Sequence, residues 1–332
     1  MPLFKLELFL ERKETTISGF MIVKNVVIQG YPFLEAIAAA LPVCDEFLVS
    51  DGYSTDETWP ILKALRKKHP DKLKLFRDAW PGPELAVRGG ILAKMTNILK
   101  ERCRGQYCLN LQANEVLHES CVDEVKALPI LYPRAEIFSL PFSTIMGMHF
   151  VWMTDFRKRL FRNLPSILSK GDAYDVGYDL RTLLRSPRGI FRRLRNTRGQ
   201  PCYLSKPVYR YRALFPDNYL AKTAALKDRT YLWHKEDSFA QKAAQRTLSG
   251  GRGPDAFWEM MRTFFSCDYH KNLPPGIRLA EVIPHGTGGP VNGCPAIMKH
   301  FMHKDHYDIQ DSAKALNLDV LSDEAGFPSE SR

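Results

Sequence analysis

Two stretches of this chain combine residue types and spacings that could do chemistry. The first is Val49-Ser50-Asp51-Gly52-Tyr53-Ser54-Thr55-Asp56-Glu57-Thr58-Trp59. Trp59, Ile61, Leu62 and Leu65 recur at helical spacing behind a short apolar run, so the stretch reads as a strand end, a tight turn and a helix start. Gly52 is expected to relax the turn, and Ser54 with Glu57 has the spacing of a capping box. Asp51 then stands at the C-terminal end of a strand, facing the crevice where open α/β sheets take ligands. An acid there suits ribose or base hydrogen bonds better than phosphate. The second stretch is Gln112-Ala113-Asn114-Glu115, directly after the apolar run Tyr107–Leu111. A divalent cation shared with a diphosphate takes carboxylate, carbonyl and water oxygens. Glu115 is the full carboxylate at the centre of this cluster, whereas Gln112 and Asn114 lend amide oxygens without charge.

The elements that must position these residues alternate. Residues 17–23 read as a buried strand ending at Lys24-Asn25. Pro32 opens a helix with Phe33, Leu34, Ile37, Ala38 and Leu41 on its apolar face. Strands follow at 45–50, 73–76 and 107–111, and helices from the Ser54 cap to about 68, at 84–102 and at 120–128. Strand–helix alternation of this kind predicts a largely parallel sheet covered by helices. After residue 130 the pattern changes. Residues 136–142, 148–153 and 159–161 read as shorter, more antiparallel strands, and 206–212 as another. The last third reads as mainly helical, with a helix at 295–301 and a weakly held tail from 311. The division expected is a first half at 1–130, a second half at 131–310 and the tail at 311–332.

The formal net charge of +10 favours anionic partners. Residues 181–198 carry seven arginines with Leu183, Leu184, Ile190, Phe191 and Leu194 between them. The segment reads as a solvated loop, as an arm on an anionic membrane or lipid-linked phosphate, or as a nucleic-acid contact. The last is the weakest, because no helix-turn-helix, zinc-finger or stacking pattern accompanies it. Seven scattered cysteines without a Cys-x-x-Cys pair suggest a reducing compartment. Met1 to Leu10 is too short and interrupted for a signal peptide, and no apolar run is long enough to span a membrane. The expected location is cytoplasmic, with the inner membrane face in reach of 181–198. His300, His303 and His306, with Asp305, have a helical spacing compatible with zinc, a weak signal beside the ordinary reading of a surface helix.

With these motifs in view, residues 17–120 resemble family 2-type nucleotide-sugar glycosyltransferases of the GT-A fold. The resemblance rests on Phe20-Met21-Ile22-Val23-Lys24-Asn25, on Asp51 to Thr58, on Arg88 and Asn97 along a long helix, and on Gln112–Glu115 in place of an Asp-x-Asp-Glu type motif. Farther on, Arg159-Leu160-Phe161-Arg162 and Pro295-Ala296-Ile297-Met298 resemble two later family segments. It implies a donor site for a UDP- or GDP-linked sugar formed by Val23, Lys24, Asn25, Asp51, Arg88, Asn97, Gln112 and Asn114. It implies Mg²⁺ or Mn²⁺ held by Glu115 and Asn114, and an inverting transfer to a hydroxyl of a glycan, lipid-linked or small-molecule acceptor, in surface polysaccharide or glycolipid synthesis. Such a transfer needs a base beside the acceptor hydroxyl, and Asp155, Asp172 and Asp175 are the candidates. The chain departs from the family at Gln112 and Asn114, where two carboxylates have become amides. Three consequences stay open: Glu115 and the diphosphate hold the cation alone, basic side chains replace it, or the fold binds a nucleotide sugar with little or no turnover. An aspartate restored at Asn114 is expected to tighten cation-dependent binding.

Overall fold

The computed structural model describes residues 15–81, 90–146, 150–171, 173, 175–179, 199–213, 278, 279, 294–301, 304 and 307–318. Its first half is β1 (Ile17–Val23), α1 (Phe33–Ala40), β2 (Glu46–Asp51), α2 (Thr58–Lys68), β3 (Leu73–Arg77), α3 (Gly90–Lys100) and β4 (Tyr107–Asn110). β2 and β4 are buried at every position, as expected of parallel strands covered on both faces. After β4 come β5 (Glu115–Val116), a 3₁₀ turn (Glu119–Cys121), α4 (Val122–Leu131), β6 (Ile137–Met146), β7 (Phe150–Arg162), the hairpin β8 (Ile167–Lys170) and β9 (Asp175–Tyr178), β10 (Gln200–Pro201), β11 (Val208–Ala213) and β12 (Arg278–Leu279). A 3₁₀ helix (Ala296–Phe301) and α5 (Ile309–Ala315) follow.

The main sheet has the order β3-β2-β1-β4-β7-β6-β11-β5, with β10 on β6 and β12 on β7. Its first four strands are parallel. β7 then runs antiparallel to both β4 and β6, so the two halves share one sheet. This is the α/β class expected from the sequence, a parallel sheet with helices on its faces and a mixed second half. Side chains alternate between two cores. Met21, Phe47, Val49, Leu109 and Leu160 pack with α1, α2, α4 and the C-terminal segment. Phe20, Leu48, Cys108 and Phe161 pack with α3 and the β8–β9 hairpin.

The sheet must curl. β5 follows β4 in the chain yet lies four strand spacings away, about 19 Å on a flat sheet. Asn110 to Glu115 could span about 18 Å only if fully stretched. It is instead a turn, with the Glu115 N–H donating to the Gln112 carbonyl at 2.9 Å. The far edge therefore folds back toward the end of β4 and brings 112–115 against β7 and β11.

Several local expectations are corrected. Residues 150–162 form one long strand rather than two short ones. Residues 296–301 are 3₁₀ rather than α. The region from 311 begins inside α5, whose Ile309, Ser312 and Ala313 are buried. The C-terminal segment is fastened by the Tyr307 hydroxyl donating to the Tyr31 carbonyl at 3.1 Å and by His300 Nε2 3.1 Å from the buried Glu35 carboxylate.

Candidate functional site

The C-terminal ends of β1, β2 and β3 form one edge of the crevice. Val23 is buried beside Asp51 in the sheet register, and the Gly52 N–H donates to its carbonyl at 2.8 Å. Asn25 adopts a left-handed conformation at φ 52°, which asparagine tolerates. Its N–H donates to Ser54 Oγ at 2.7 Å, while its Oδ1 accepts from the Thr55 N–H at 2.7 Å. Lys24 lies with Nζ 5.5 Å from the Trp80 ring centre. The motif after β2 is thus a clamp on the loop after β1. Asp56 and Thr58 complete it: Asp56 Oδ2 accepts from the Ile28 N–H at 3.0 Å and Thr58 Oγ1 from the Val26 N–H at 3.1 Å.

Two expectations change here. Ser54 does not cap the helix, because α2 starts at Thr58, whose N–H is capped by Asp56 Oδ1 at 3.1 Å. Gly52 is needed for space rather than for its backbone angle. A Cβ there would sit 2.4 Å from Trp80 Nε1, and the positive φ falls on Tyr53. Asp51 is fully buried and turned inward. It accepts from the Ser54 hydroxyl and N–H, and from Arg77 Nε at 3.0 Å. Arg77 in turn lies 4.4 Å from the Tyr53 ring centre and 4.9 Å from that of Trp59. Asp51 therefore fixes a guanidinium that supports Tyr53, an exposed aromatic side chain at this edge, at 52%.

The stretch 112–115 is tied into the second half of the sheet. The Asn114 side-chain amide donates to the Tyr211 carbonyl at 2.9 Å, and the Tyr211 N–H donates to the Asn114 carbonyl at 2.8 Å. An aspartate at this place would set a carboxylate oxygen against a carbonyl oxygen, so the amide is the fitting side chain and the expected gain from aspartate is reversed. Gln112 Oε1 accepts from Arg210 at 3.3 Å. Glu115 is fully buried and receives Arg159 through two hydrogen bonds of 2.8 Å, with Arg157 Nη1 at 3.8 Å. Burial alone would push its carboxyl up, but the charges and hydrogen bonds of Arg159, then Arg157 and Arg210, outweigh burial and hold it below the ordinary value.

A β-bulge lies at these arginines. Phe138 faces Leu160 and Ser139 faces Lys158, which leaves Arg159 as the extra residue of β7. Arg157 and Arg159 share a face by the ordinary two-residue alternation, and the bulge lets Leu160 follow Arg159 on that face before alternation resumes at Phe161. Both guanidiniums lie over Phe142, with ring-centre distances of 5.5 and 5.1 Å. Sequence reasoning missed Arg157, Arg159 and Arg210 as site residues. The signal was present: arginines in an apolar strand, Arg157-Lys158-Arg159-Leu160-Phe161, cannot be buried without carboxylate partners.

The other expected site residues scatter. Asp155 lies at the same edge, its carboxylate gripped by Arg157 Nε at 3.0 Å and Nη2 at 2.9 Å. Asp175 starts β9 on the opposite face, exposed and 3.2 Å from Lys158 Nζ. Asn97 is engaged on that face too: it donates to the Ser169 carbonyl at 3.1 Å and accepts from its N–H at 2.8 Å. Arg88, Asp172 and the arginine segment 181–198 lie outside the described residues, as do His303, Asp305 and His306. Among the described residues no group of three or more His, Cys, Asp or Glu side chains could hold a metal ion. The six described cysteines are buried and unbridged. No helix among the described residues is long and apolar enough to cross a membrane.

The residues at 112–115 do not fit a Mg²⁺ or Mn²⁺ ion. Both Glu115 oxygens are taken by a guanidinium and the Gln112 oxygen accepts from Arg210, while the Asn114 side chain is an uncharged amide held by its NH2 group on a backbone carbonyl. A hard cation would have to displace them.

No protein-family model matches the sequence, and no curated protein matches it. Among solved structures the chain is similar to Staphylococcus aureus TarS 1–349, at 12% identity and a TM-score of 0.36, over 77% of this chain and 73% of that one. It is similar to the mannosyltransferase PcManGT of Pyrobaculum calidifontis in complex with GDP-Man and Mn²⁺, at 12% identity and a TM-score of 0.38, over 78% and 74%. A third likeness is to glucosyl-3-phosphoglycerate synthase of Mycobacterium tuberculosis, at 15% identity and a TM-score of 0.26, over 44% and 47%. Likenesses at these TM-scores carry no weight of their own, and the fold class rests on the strand order and register.

Proposed function

We propose that the chain is a nucleotide-sugar glycosyltransferase of the GT-A type whose donor lies at the C-terminal edge of the parallel strands. One observation carries the reading: the loops after β1, β2 and β4 follow the C-terminal ends of adjacent parallel strands, on both sides of the point between β1 and β4 where the strand order reverses, which is where open α/β sheets bind ligands. In this reading Tyr53 stacks on the base of a UDP- or GDP-linked sugar, and Asp51 positions it through Arg77. Lys24 and Arg210 flank the diphosphate, with Arg88 as a further candidate. The reaction breaks the bond between the sugar's anomeric carbon and the diphosphate, and an acceptor hydroxyl replaces the leaving group with inversion. The proton of that hydroxyl goes to a base, for which the candidates are Asp155, held by Arg157, with Asp172 and Asp175 behind it. The acceptor class proposed is a glycan, a lipid-linked sugar or a small-molecule alcohol, with 181–198 as a contact for an anionic membrane.

Calorimetric titration of UDP and GDP tests the donor site. One of them is expected to bind, and Tyr53→Ala and Asp51→Ala are each expected to weaken it about 10-fold, or about 1.4 kcal/mol. Failure of both nucleotides to bind overturns the reading. A second reading, a nucleotide-sugar-binding protein without turnover, is favoured by the inward commitment of Asn114 and Glu115. Release of free sugar from the donor, or its transfer to an added acceptor, decides against it.

A further inference from the structure

Resting on the donor reading above, we infer that this chain binds the diphosphate without a divalent cation, using Arg210 at the place where Glu115, Asn114 and Gln112 would otherwise hold one. The inference starts from what the carboxylate does. Glu115 is the acid of the stretch 112–115, it is fully buried, and Arg159 meets it through two parallel hydrogen bonds of 2.8 Å. A bidentate guanidinium fills both carboxylate oxygens in a fixed plane. Arg159 is the extra residue of a β-bulge in β7. The neighbouring Asn114 adds no charge for a cation, and its NH2 group extends the β5–β11 ladder by donating to the Tyr211 carbonyl.

Positive charge is nevertheless delivered to the same spot. Arg159 lies 2.8 Å and Arg157 3.8 Å from the Glu115 carboxylate, and Arg210 faces Glu115 in the β5–β11 register. Two of them, Arg157 and Arg159, are sealed from solvent, whereas Arg210 is half-buried and reaches Gln112. Arg210 is therefore the one of the three placed to meet a ligand, and the sealed pair fixes Glu115 beside it. A guanidinium matches phosphate oxygens in geometry and stays charged at every working pH. In this arrangement a fixed protein charge does what a cation bridging a carboxylate and the diphosphate would do, and the leaving diphosphate departs against Arg210.

The test titrates UDP and GDP into the full chain in EDTA and in Mn²⁺, and Mn²⁺ alone into the nucleotide-free chain. Expected are nucleotide dissociation constants within about 2-fold of each other in the two buffers, and no Mn²⁺ binding that Glu115→Gln removes. Arg210→Gln should weaken nucleoside diphosphate binding 10-fold or more and leave binding of the matching nucleoside within about 2-fold. A structural role for Arg210 would weaken both alike and overturn its assignment. Nucleotide binding that appears only with Mn²⁺ overturns the inference while the donor reading stands. Absence of binding in both buffers overturns the two together.

Discussion

The pair Glu115–Arg159 shows how a single partner decides what a carboxylate can do. Left alone in the interior, Glu115 would have to take up a proton or recruit a cation. With Arg159 across two hydrogen bonds it is ionised, immobile and occupied. Removing one partner is costlier than removing both, because a lone buried charge remains. Arg159→Met is expected to destabilise the fold by about 3 kcal/mol, the low end of the range for broken buried pairs, since Arg157 stays 3.8 Å away. Adding Glu115→Gln to Arg159→Met should recover most of that loss, read as the midpoint of urea unfolding. The pH dependence follows from the depressed carboxyl. Its stabilising share is present above the ordinary value of 4.5 and is lost as pH falls through the lower folded value. The double variant should therefore show a flatter stability curve below about pH 4.5 than the wild type. A double variant as unstable as Arg159→Met alone, or an unchanged acid slope, would refute this account. The residues of the pair were both visible in the sequence, but their meeting was not: they are 44 positions apart and on different strands.

At the scale of elements, the parallel strands and their helices were legible because burial on both faces and helical periodicity leave continuous traces in sequence. β1, β2, β3 and β4 start and stop within a residue or two of the expected places. The capping box at Ser54 misled because the same residue types also make side-chain turns, and here Asp51 captured Ser54 first. β7 reads as two short strands in the sequence because bulges interrupt its alternation, although it is one continuous strand. The C-terminal segment was undervalued because α5 is too short to show a periodic face, although it is docked through Ile309 and Ala313 against the core that holds α1. Ile309→Ala separates a docked helix from a tail. Ile309 is 7% exposed, so truncation should cost about 2–4 kcal/mol, against about 0.5 or less for a residue in a loosely held end. Thermal unfolding of the variant against the wild type measures it, and an unchanged midpoint would return the segment to a tail.

For the molecule as a whole, the division at residue 130 has chain meaning but not mechanical independence. β4 of the first half pairs with β7 of the second, and the curl brings the first half's Glu115 onto the second half's Arg159. The site was only partly legible for the same reason: its crevice edge is built from consecutive β–α turns, whereas its charged wall is assembled by strands that the chain visits much later. A curled sheet of this kind should unfold cooperatively, because each face covers strands from both halves. Two lesions on opposite faces test that. Arg159→Met strikes the wall beside β5, while Asn97→Ala removes two hydrogen bonds to the Ser169 backbone on the α3 side and leaves that backbone unpaired. The second should cost about 1–3 kcal/mol. If the sheet is one unit, both variants lower the same calorimetric transition, and near-UV and far-UV dichroism report coincident midpoints for each. Because the lesions share no partner, their effects should add to within about 0.5 kcal/mol in the double variant. Should Asn97→Ala move one transition and Arg159→Met another, the two halves would unfold separately, and the contact between Glu115 and Arg159 would be a docking of independent bodies rather than part of one core.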